Sequence, residues 1–401
     1  MRLTRLHVRD LRCLADVEIE LHPRLNIVSG RNGAGKSSLL EAIHLLAYGR
    51  SFRGRVRDGL IRTGAPAIEV FVEWDEQARP ARRAGLRHAG GQWEARLDGE
   101  PVDLLGTLSA ALAVLTFEPG SHALVDGPGE ARRRFLDWGL FHVEPGFLPQ
   151  WRRHARALKQ RNALLRQGAQ ADQLQAWEVE LAEAGEQLTT ARRRYVAELE
   201  DDLAAMSSRL SPDLGPLALE FSSGWRDQEL SLADALLLAR ERDRSVGFTT
   251  VGAHRANWRL RSSLWPAGEA PSRGQAKLCA LACLLAQGRH FQRARGEAPI
   301  FLLDDFAAEL DQRHQRRLLE ALHQDQWQVL MTGTEPPAQL ATAEFAGFHV
   351  ERGCVRTRIH ADRVDIQVHA DTARLLDEDR GGAGQGHIAS GGALVVDELQ
   401  K

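Results

Sequence analysis

The sequence predicts an α/β fold, a mixed sheet with helices, split by a long helical insertion. Three observations carry this. Residues 25–29 (Leu-Asn-Ile-Val-Ser) read as a short buried strand that enters a glycine loop and then a stretch of helical spacing over 37–49. Residues 300–303 (Ile-Phe-Leu-Leu) are a second apolar strand, and it runs into two aspartates, Asp304 and Asp305. Between the two, residues 131–210 are nearly free of strand signal and rich in Arg, Glu, Ala and Leu at helical periods.

Taken in order, residues 2–8 and 17–21 alternate apolar and polar side chains, as half-buried antiparallel strands do. Further strands are expected at 67–74 and 113–117. The strand vocabulary returns at 248–253, 299–306 and 328–333. The simplest division is a first part of the α/β unit over 1–128, a helical insertion over 129–247 and a second part over 248–362. Residues 363–401 are Gly-rich without periodicity and are expected to be disordered. No internal repeat is visible.

Composition narrows the class. A hydrophobic share of 43% and a charged share of 26% are those of a soluble globular protein, and 401 residues suffice for two or three domains. The N-terminus lacks the apolar core of a secretory leader. The longest apolar run, residues 278–286, is too short to span a bilayer. A cytoplasmic location without membrane attachment is therefore expected. Cys13, Cys279, Cys283 and Cys354 include no C-x-x-C pair and read as buried thiols in a reducing compartment. His360 and His369 are too isolated for a metal site. A net charge of −2 excludes a globally basic nucleic-acid binder, so any DNA contact must come from local patches.

Of 52 Lys and Arg, four are lysine: Lys36, Lys159, Lys277 and Lys401. Lys36 closes the run Gly30, Arg31, Asn32, Gly33, Ala34, Gly35, Lys36, Ser37, which fits G-x-x-x-x-G-K-[ST] between a strand and a helix, as a P-loop requires. Such a loop, continuing into Ser38, curls its N–H groups around phosphates at the positive end of the following helix. Lys36 then bridges the β- and γ-phosphates of ATP, and Ser37 offers a hydroxyl to Mg²⁺. A forked guanidinium is a poor substitute in so tight a loop, which explains the lysine. Asp304 is the expected Mg²⁺ carboxylate and Asp305 the group that polarises the attacking water. Ser272, Arg273, Gly274 and Gln275 open a helix about 30 residues before the aspartates. Alone that is an N-cap serine; in this order it reads as a second anion site.

The order of P-loop, S-x-G-Q helix start, apolar strand with two aspartates, and Glu309-Leu310-Asp311 resembles an ABC-type ATPase head of the SMC class. More narrowly, residues 1–360 resemble the RecF family of bacterial DNA-repair ATPases. Residues 49–53 (GRSFR), 127–142 (GPGEARRRFLDWGLFH), 158–166 (LKQRNALLR) and 251–255 (VGAHR) match as well. The resemblance implies a head that is inactive alone and forms an ATP-dependent homodimer, head to tail, around two ATP molecules. Ser272, Gly274 and Gln275 of one copy would meet the γ-phosphate held by Lys36 of the other, with Asp311 at the same interface. It also implies DNA binding at single-strand/double-strand gaps, with a preference for duplex. Slow DNA-stimulated hydrolysis would act as a switch in repair and replication, and RecO and RecR would join in loading RecA.

The chain departs from the family at several points. Ala253 stands where the family has proline, which loosens the turn before His254 and Arg255. Thr332 and Thr334 stand where transporter heads carry a γ-phosphate-sensing histidine, so that role lies between them. No Mg²⁺-ligating glutamine is evident near residues 116–120.

Two basic stretches are candidates for DNA. Residues 131–166 carry nine Arg/Lys against Asp137 and Glu144, whereas residues 171–207 carry three Arg against nine acids. Those two helical stretches could instead neutralise each other. Arg50, Arg53, Arg55, Arg57 and Arg62 form the second stretch, beside the P-loop. Among rival functions, a transporter ATPase would need a shorter insertion and a glutamate at position 305. A long-armed SMC protein would need hundreds of heptad residues. A nucleotide-gated binding switch with negligible turnover has the same motif residues.

Overall fold

The structure, a computed structural model, describes residues 1–53, 59–76, 80–265, 271–337, 340 and 344–360. Arg55, Arg57, His369 and the tail expected to be disordered over 363–401 lie outside the described residues. The chain forms two compact units. One holds residues 1–116, 299–312 and the described part of 326–397; the other holds 117–298 and 313–325.

The first unit begins with β1 (Arg2–Leu11), β2 (Leu14–Glu20), β3 (Leu25–Ser29) and α1 (Lys36–Tyr48). Next come β4 (Ala67–Asp75), β5 (Arg82–Ala89), β6 (Gln92–Leu97), β7 (Glu100–Pro101), α2 (Leu105–Ala111) and β8 (Val114–Phe117). The second unit adds α3 (Ala123–Asp126), α4 (Gly129–Val143), α5 (Phe147–Arg166), α6 (Ala171–Leu210), β9 (Leu217–Ser222), α7 (Leu232–Val246), β10 (Asn257–Ser262) and α8 (Arg273–Arg295). The chain returns to the first unit with β11 (Ile300–Leu303) and α9 (Phe306–Glu309), gives α10 (Gln312–Asp325) almost wholly to the second, and ends in the first with β12 (Gln328–Gly333), β13 (Phe345–Glu351) and β14 (Cys354–His360).

Two six-stranded sheets make the first unit. One is antiparallel, in the order β2-β1-β4-β5-β6-β7, and the other is mixed, in the order β14-β13-β3-β12-β11-β8. A register shift between Leu3 and Arg5 lets Leu3, Leu6 and Val8 all face inward. β3 is parallel to both β12 and β13, and β11 is parallel to β12, as continuous apolar runs require. Apolar side chains of α1 share one core with both sheets, from Leu6 and Trp74 to Leu302 and Phe348. The helix is buried nearly all round, so its position, and that of the loop before it, is fixed by packing.

In the second unit the 40-residue helix α6, about 60 Å long by helical rise, is the axis. Gly139 of α4 lies so close to Tyr195 of α6 that a Cβ would run into the phenol. Charges on these helices do neutralise each other. Arg192 grips buried Asp137 with two hydrogen bonds of 2.8 and 2.9 Å. Arg161, fully buried, bonds Asp243 at 2.7 Å and Glu178 at 3.0 Å.

The structure departs from four expectations. The second unit extends well beyond 129–247, because α8 belongs to it: Gln287 donates to the Phe135 carbonyl (2.7 Å) and the Tyr195 hydroxyl (3.1 Å), and His290 pairs with Glu198. Residues 248–253 are not a strand. Their polar groups bond side chains instead, Thr249 to Asn162 and Thr250 to Asp243, and a single 3-10 turn follows at Ala253–Arg255. The turn is also not loose at Ala253, whose carbonyl accepts from Arg192 at 2.7 Å. Finally, Cys279 and Cys283 are buried as expected, but Cys13 and Cys354 are exposed, and all four are free. Among the described residues no helix is long and apolar enough to cross a membrane.

Candidate functional site

The glycine loop is built by close approach on both sides. Gly30 has φ 145°, and a Cβ there would run into the Val350 carbonyl. Gly35 has φ 114° and packs where a Cβ would sit 2.8 Å from Cys13 Sγ. Both positions therefore demand glycine. The Ala34 carbonyl accepts the Gly353 amide at 3.0 Å and the Cys13 thiol at 3.7 Å, and the Gly30 amide donates to the Thr334 carbonyl at 3.4 Å. Arg31, Asn32 and Gly33 form the exposed tip, while Ala34, Lys36 and Ser38 are buried.

Lys36 folds back into the loop. Its ammonium donates to the Gly30 carbonyl at 2.9 Å and the Arg31 carbonyl at 3.1 Å, so the charge sits inside the curl. Gly35 caps α1 without a side-chain bond, and of the first helix amides that of Ser38 turns back to the Gly35 carbonyl at 3.0 Å. The half-buried Ser37 hydroxyl likewise takes no partner among the described residues.

The aspartates close the site. β11 runs into Asp304, 5% exposed, and Thr332 of the parallel neighbour β12 donates to Asp304 Oδ1 at 2.7 Å. The same hydroxyl accepts the Asp305 amide at 2.8 Å. Asp305 holds a left-handed backbone, φ 52° and ψ 38°, uncommon away from glycine though aspartate tolerates it. Burial and the neighbouring Asp304 push the Asp305 carboxyl above its ordinary range, against the pull of the Lys36 ammonium and with a further push from Glu309. β3 and β11 both pair in parallel with β12, so the loop that follows β3 and the aspartates that follow β11 lie at the same end of the sheet. The residues fit Mg²⁺-ATP: amides and an ammonium for phosphate, and a free hydroxyl with a buried carboxylate for the metal.

Thr332 and Thr334, the two sensor candidates, sit in different surroundings. Thr332 is 2% exposed with its hydroxyl committed to both aspartates, whereas Thr334 is exposed at the end of the same strand, next to Gly30. Sequence reasoning missed the orienting role of Thr332, although it is the one hydroxyl in the buried run of β12. It also missed Glu41, a fully buried carboxylate on α1 that takes Arg12 at 2.7 and 3.0 Å and also accepts from Ser51. The signal was the single acid of α1, set in the mostly apolar run 39–47.

Ser272, Gly274 and Gln275 fall in the second unit and Asp311 in the first. Ser272 and Gln275 form a reciprocal capping box: the Ser272 amide donates to Gln275 Oε1 at 2.9 Å and the Gln275 amide to Ser272 Oγ at 3.3 Å. A Cβ at Gly274 would meet nothing within 4 Å, so the helix start is open to an approaching group. Asp311 is exposed. Beside the P-loop, Arg53 reaches Glu41 at 3.9 Å and Arg62 reaches Asp10 at 3.5 Å, so these arginines are partly engaged.

Comparison with known proteins gives a consistent picture. The family described as the RecF/RecN/SMC N-terminal domain matches residues 2–356. The DNA replication and repair protein RecF of Stenotrophomonas maltophilia is 58% identical over 356 residues, 88% of this chain and 98% of that protein. RecF of Xanthomonas axonopodis is also 58% identical, over 359 residues, with the same shares. Among solved structures, the recombination mediator protein RecF with ATP, of the RecFOR pathway, shares the fold at a TM-score of 0.78 and 23% identity, covering 89% of this chain and 97% of that one. An Smc head bound to the C-winged helix domain of ScpA shares it at 0.55 and 14%, covering 89% and 97%.

Proposed function

The chain belongs to the RecF branch of the RecF/RecN/SMC family, and from that premise we propose that it is an ATP-dependent DNA-binding protein of recombinational repair and replication. In this reading it binds DNA at single-strand/double-strand gaps as an ATP-induced homodimer in the cytoplasm. Together with RecO and RecR it promotes RecA loading. The observation that carries the reading is the convergence, in one compact unit, of the curled loop around Lys36 and the Thr332-held pair Asp304 and Asp305.

The roles follow from position. The amides of the loop tip and of the helix start, within residues 31–38, would take the β- and γ-phosphates together with the Lys36 ammonium. Ser37 and Asp304 would hold Mg²⁺, which neutralises charge on the phosphates when bound. Asp305 would orient and polarise the attacking water, and its left-handed backbone and raised proton affinity suit a carboxylate reserved for that task. Ser272, Gly274 and Gln275 of a second copy would complete the γ-phosphate shell, with Asp311 beside them. Hydrolysis then resets the dimer and serves as a timer rather than as a metabolic reaction.

ATP turnover measured with and without gapped duplex DNA tests this. Turnover should be slow alone and rise several-fold with DNA. ATP binding with no turnover under either condition would favour a pure nucleotide-gated switch, and absence of ATP binding would remove the reading altogether.

A further inference from the structure

The nine cations of residues 131–166 have different fates. Arg132 bonds Asn257 at 2.6 Å and the carbonyls of Val125 and Gly127, and Arg133 bonds the Ala256 carbonyl. Arg134 pairs with Glu130, Arg153 with Glu180 and Glu183, and Arg161 is the buried partner of Asp243 and Glu178. Five are thus consumed inside the second unit. Arg152, Arg156, Lys159 and Arg166 are left, all on α5.

These four share one face. At 3.6 residues per turn, positions 152, 156, 159 and 166 fall within about 80° of arc. The buried residues of α5, among them Trp151, His154, Ala157 and Leu165, occupy the opposite side. Arg156, Lys159 and Arg166 are exposed and Arg152 is half-buried. Among the described residues Arg152, Lys159 and Arg166 take no hydrogen bond or ion pair, and Arg156 lies over the Trp177 ring at 5.9 Å, with Glu180 near enough to feel its charge but not hydrogen-bonded to it. A chain that pairs its neighbouring arginines so thoroughly leaves this row open.

We propose that this face of α5 binds the phosphate backbone of duplex DNA, an assignment that rests on the DNA-binding reading above. The row spans about 21 Å at 1.5 Å per residue. One strand of B-DNA offers a charge every ~3.4 Å along its axis, so roughly six phosphates lie within that length, enough for one per cation. Arginine forks and the lysine point charge both suit phosphate oxygens. α5 contributes no aromatic side chain to the row, and the neighbouring Trp177 ring lies under Arg156, so the row supplies no open platform for stacking unpaired bases, which favours duplex over single strand.

The experiment is the salt dependence of duplex binding by the full-length protein with ATP present. It compares wild type with the combined variant Arg152→Gln, Arg156→Gln, Lys159→Gln and Arg166→Gln. The log–log slope should become shallower by about 3.6, roughly 0.9 for each single change, and each cation should account for about eightfold in affinity at 0.1 M salt. A companion variant with lysine at positions 152, 156 and 166 should retain the wild-type slope, which separates charge from packing. Wild-type binding with a steep slope that the glutamine variant keeps would overturn the assignment and leave the DNA-binding reading standing. Loss of binding to poly-L-glutamate with the DNA slope intact would assign the row to an acidic protein and overturn it too. A wild-type protein that binds no DNA would overturn both.

Discussion

The Thr332 hydroxyl donates to Asp304 Oδ1 at 2.7 Å while accepting the Asp305 amide at 2.8 Å, so one buried side chain sets the direction of both aspartates. Thr332→Val keeps the shape and removes both bonds. It should cost about 1–3 kcal/mol of stability, because a buried amide and a carboxylate oxygen lose their partner. Hydrolysis should fall roughly 10–100-fold, as when the orienting partner of a metal ligand is lost. Thermal unfolding and steady-state turnover measure the two effects; a variant equal to wild type in both would deny Thr332 this role. Thr334→Val, at an exposed position, should leave unfolding unchanged and affect hydrolysis alone.

Lys36→Arg should fold normally, since the change adds a fork to the same charge. Its guanidinium cannot sit between the Gly30 and Arg31 carbonyls as the ammonium does at 2.9 and 3.1 Å. Turnover should drop by about two orders of magnitude, in line with loss of a preorganised charge contact in the transition state. Wild-type turnover in this variant would sink the P-loop assignment.

Much of this site was legible in the sequence because its parts are local. A glycine loop between strand and helix, and an apolar strand ending in aspartates, announce themselves within a dozen residues, and β3 and β12 occupy the spans expected. What escaped was set by distant partners. Thr332 became an orienter because β11 lies parallel beside β12, and Arg161 became a core residue because α6 and α7 bring Glu178 and Asp243 to it. Residues 248–253 had the composition of a strand, but Asn162, Asp243 and Arg192 took up their backbone groups. Local propensity yielded there to tertiary bonding.

Asp305→Asn should preserve ATP binding, since Asp304 still serves the metal, and should hold the protein in its ATP-bound form because the water-polarising carboxylate is gone. Retained nucleotide after rapid filtration, with turnover reduced at least tenfold, is the expected pair of readings. Normal turnover would place the water-polarising role on another residue.

Acid should weaken the second unit before general acid denaturation sets in. Burial, assisted by Arg255 and Arg133 and opposed by the Thr249 carbonyl, pushes His254 down to about 4; burial with Arg295 pushes His142 to about 3. Both imidazoles are neutral when folded, and the unfolded chain takes up their protons first, near pH 6.5. Stability is therefore full above pH 6.5 and is lost as pH falls through 6.5 toward 4, with each histidine contributing up to about 1.4 kcal/mol per pH unit. Urea midpoints at pH 7.5, 5.5 and 4.5 measure this. His142→Phe, whose ring can keep the contacts to Trp138 and Phe291, should reduce the fall between 5.5 and 4.5. A flat profile between pH 6.5 and 5 would contradict the burial of neutral imidazoles.

The dimer is the prediction on which most of the mechanism depends. The capping box holds Ser272 and Gln275 in a formed helix start, and Gly274 leaves room for a phosphate to approach. In the proposed assembly the γ-phosphate held by Lys36 of one copy meets that helix start in the other. Two such shared sites close a two-fold particle, so growth should stop at two. The coupling is reciprocal: dimerisation must tighten ATP binding by the factor by which ATP tightens the dimer. Ser272→Arg should keep ATP binding to the monomer while abolishing both the ATP-dependent mass increase in light scattering and hydrolysis. Mixing it with Lys36→Met should restore one complete site, built from Lys36 of the first protein and Ser272 of the second, and with it dimer and turnover in part. A mass that ATP leaves unchanged across a wide range of protein concentration would rule out the shared site.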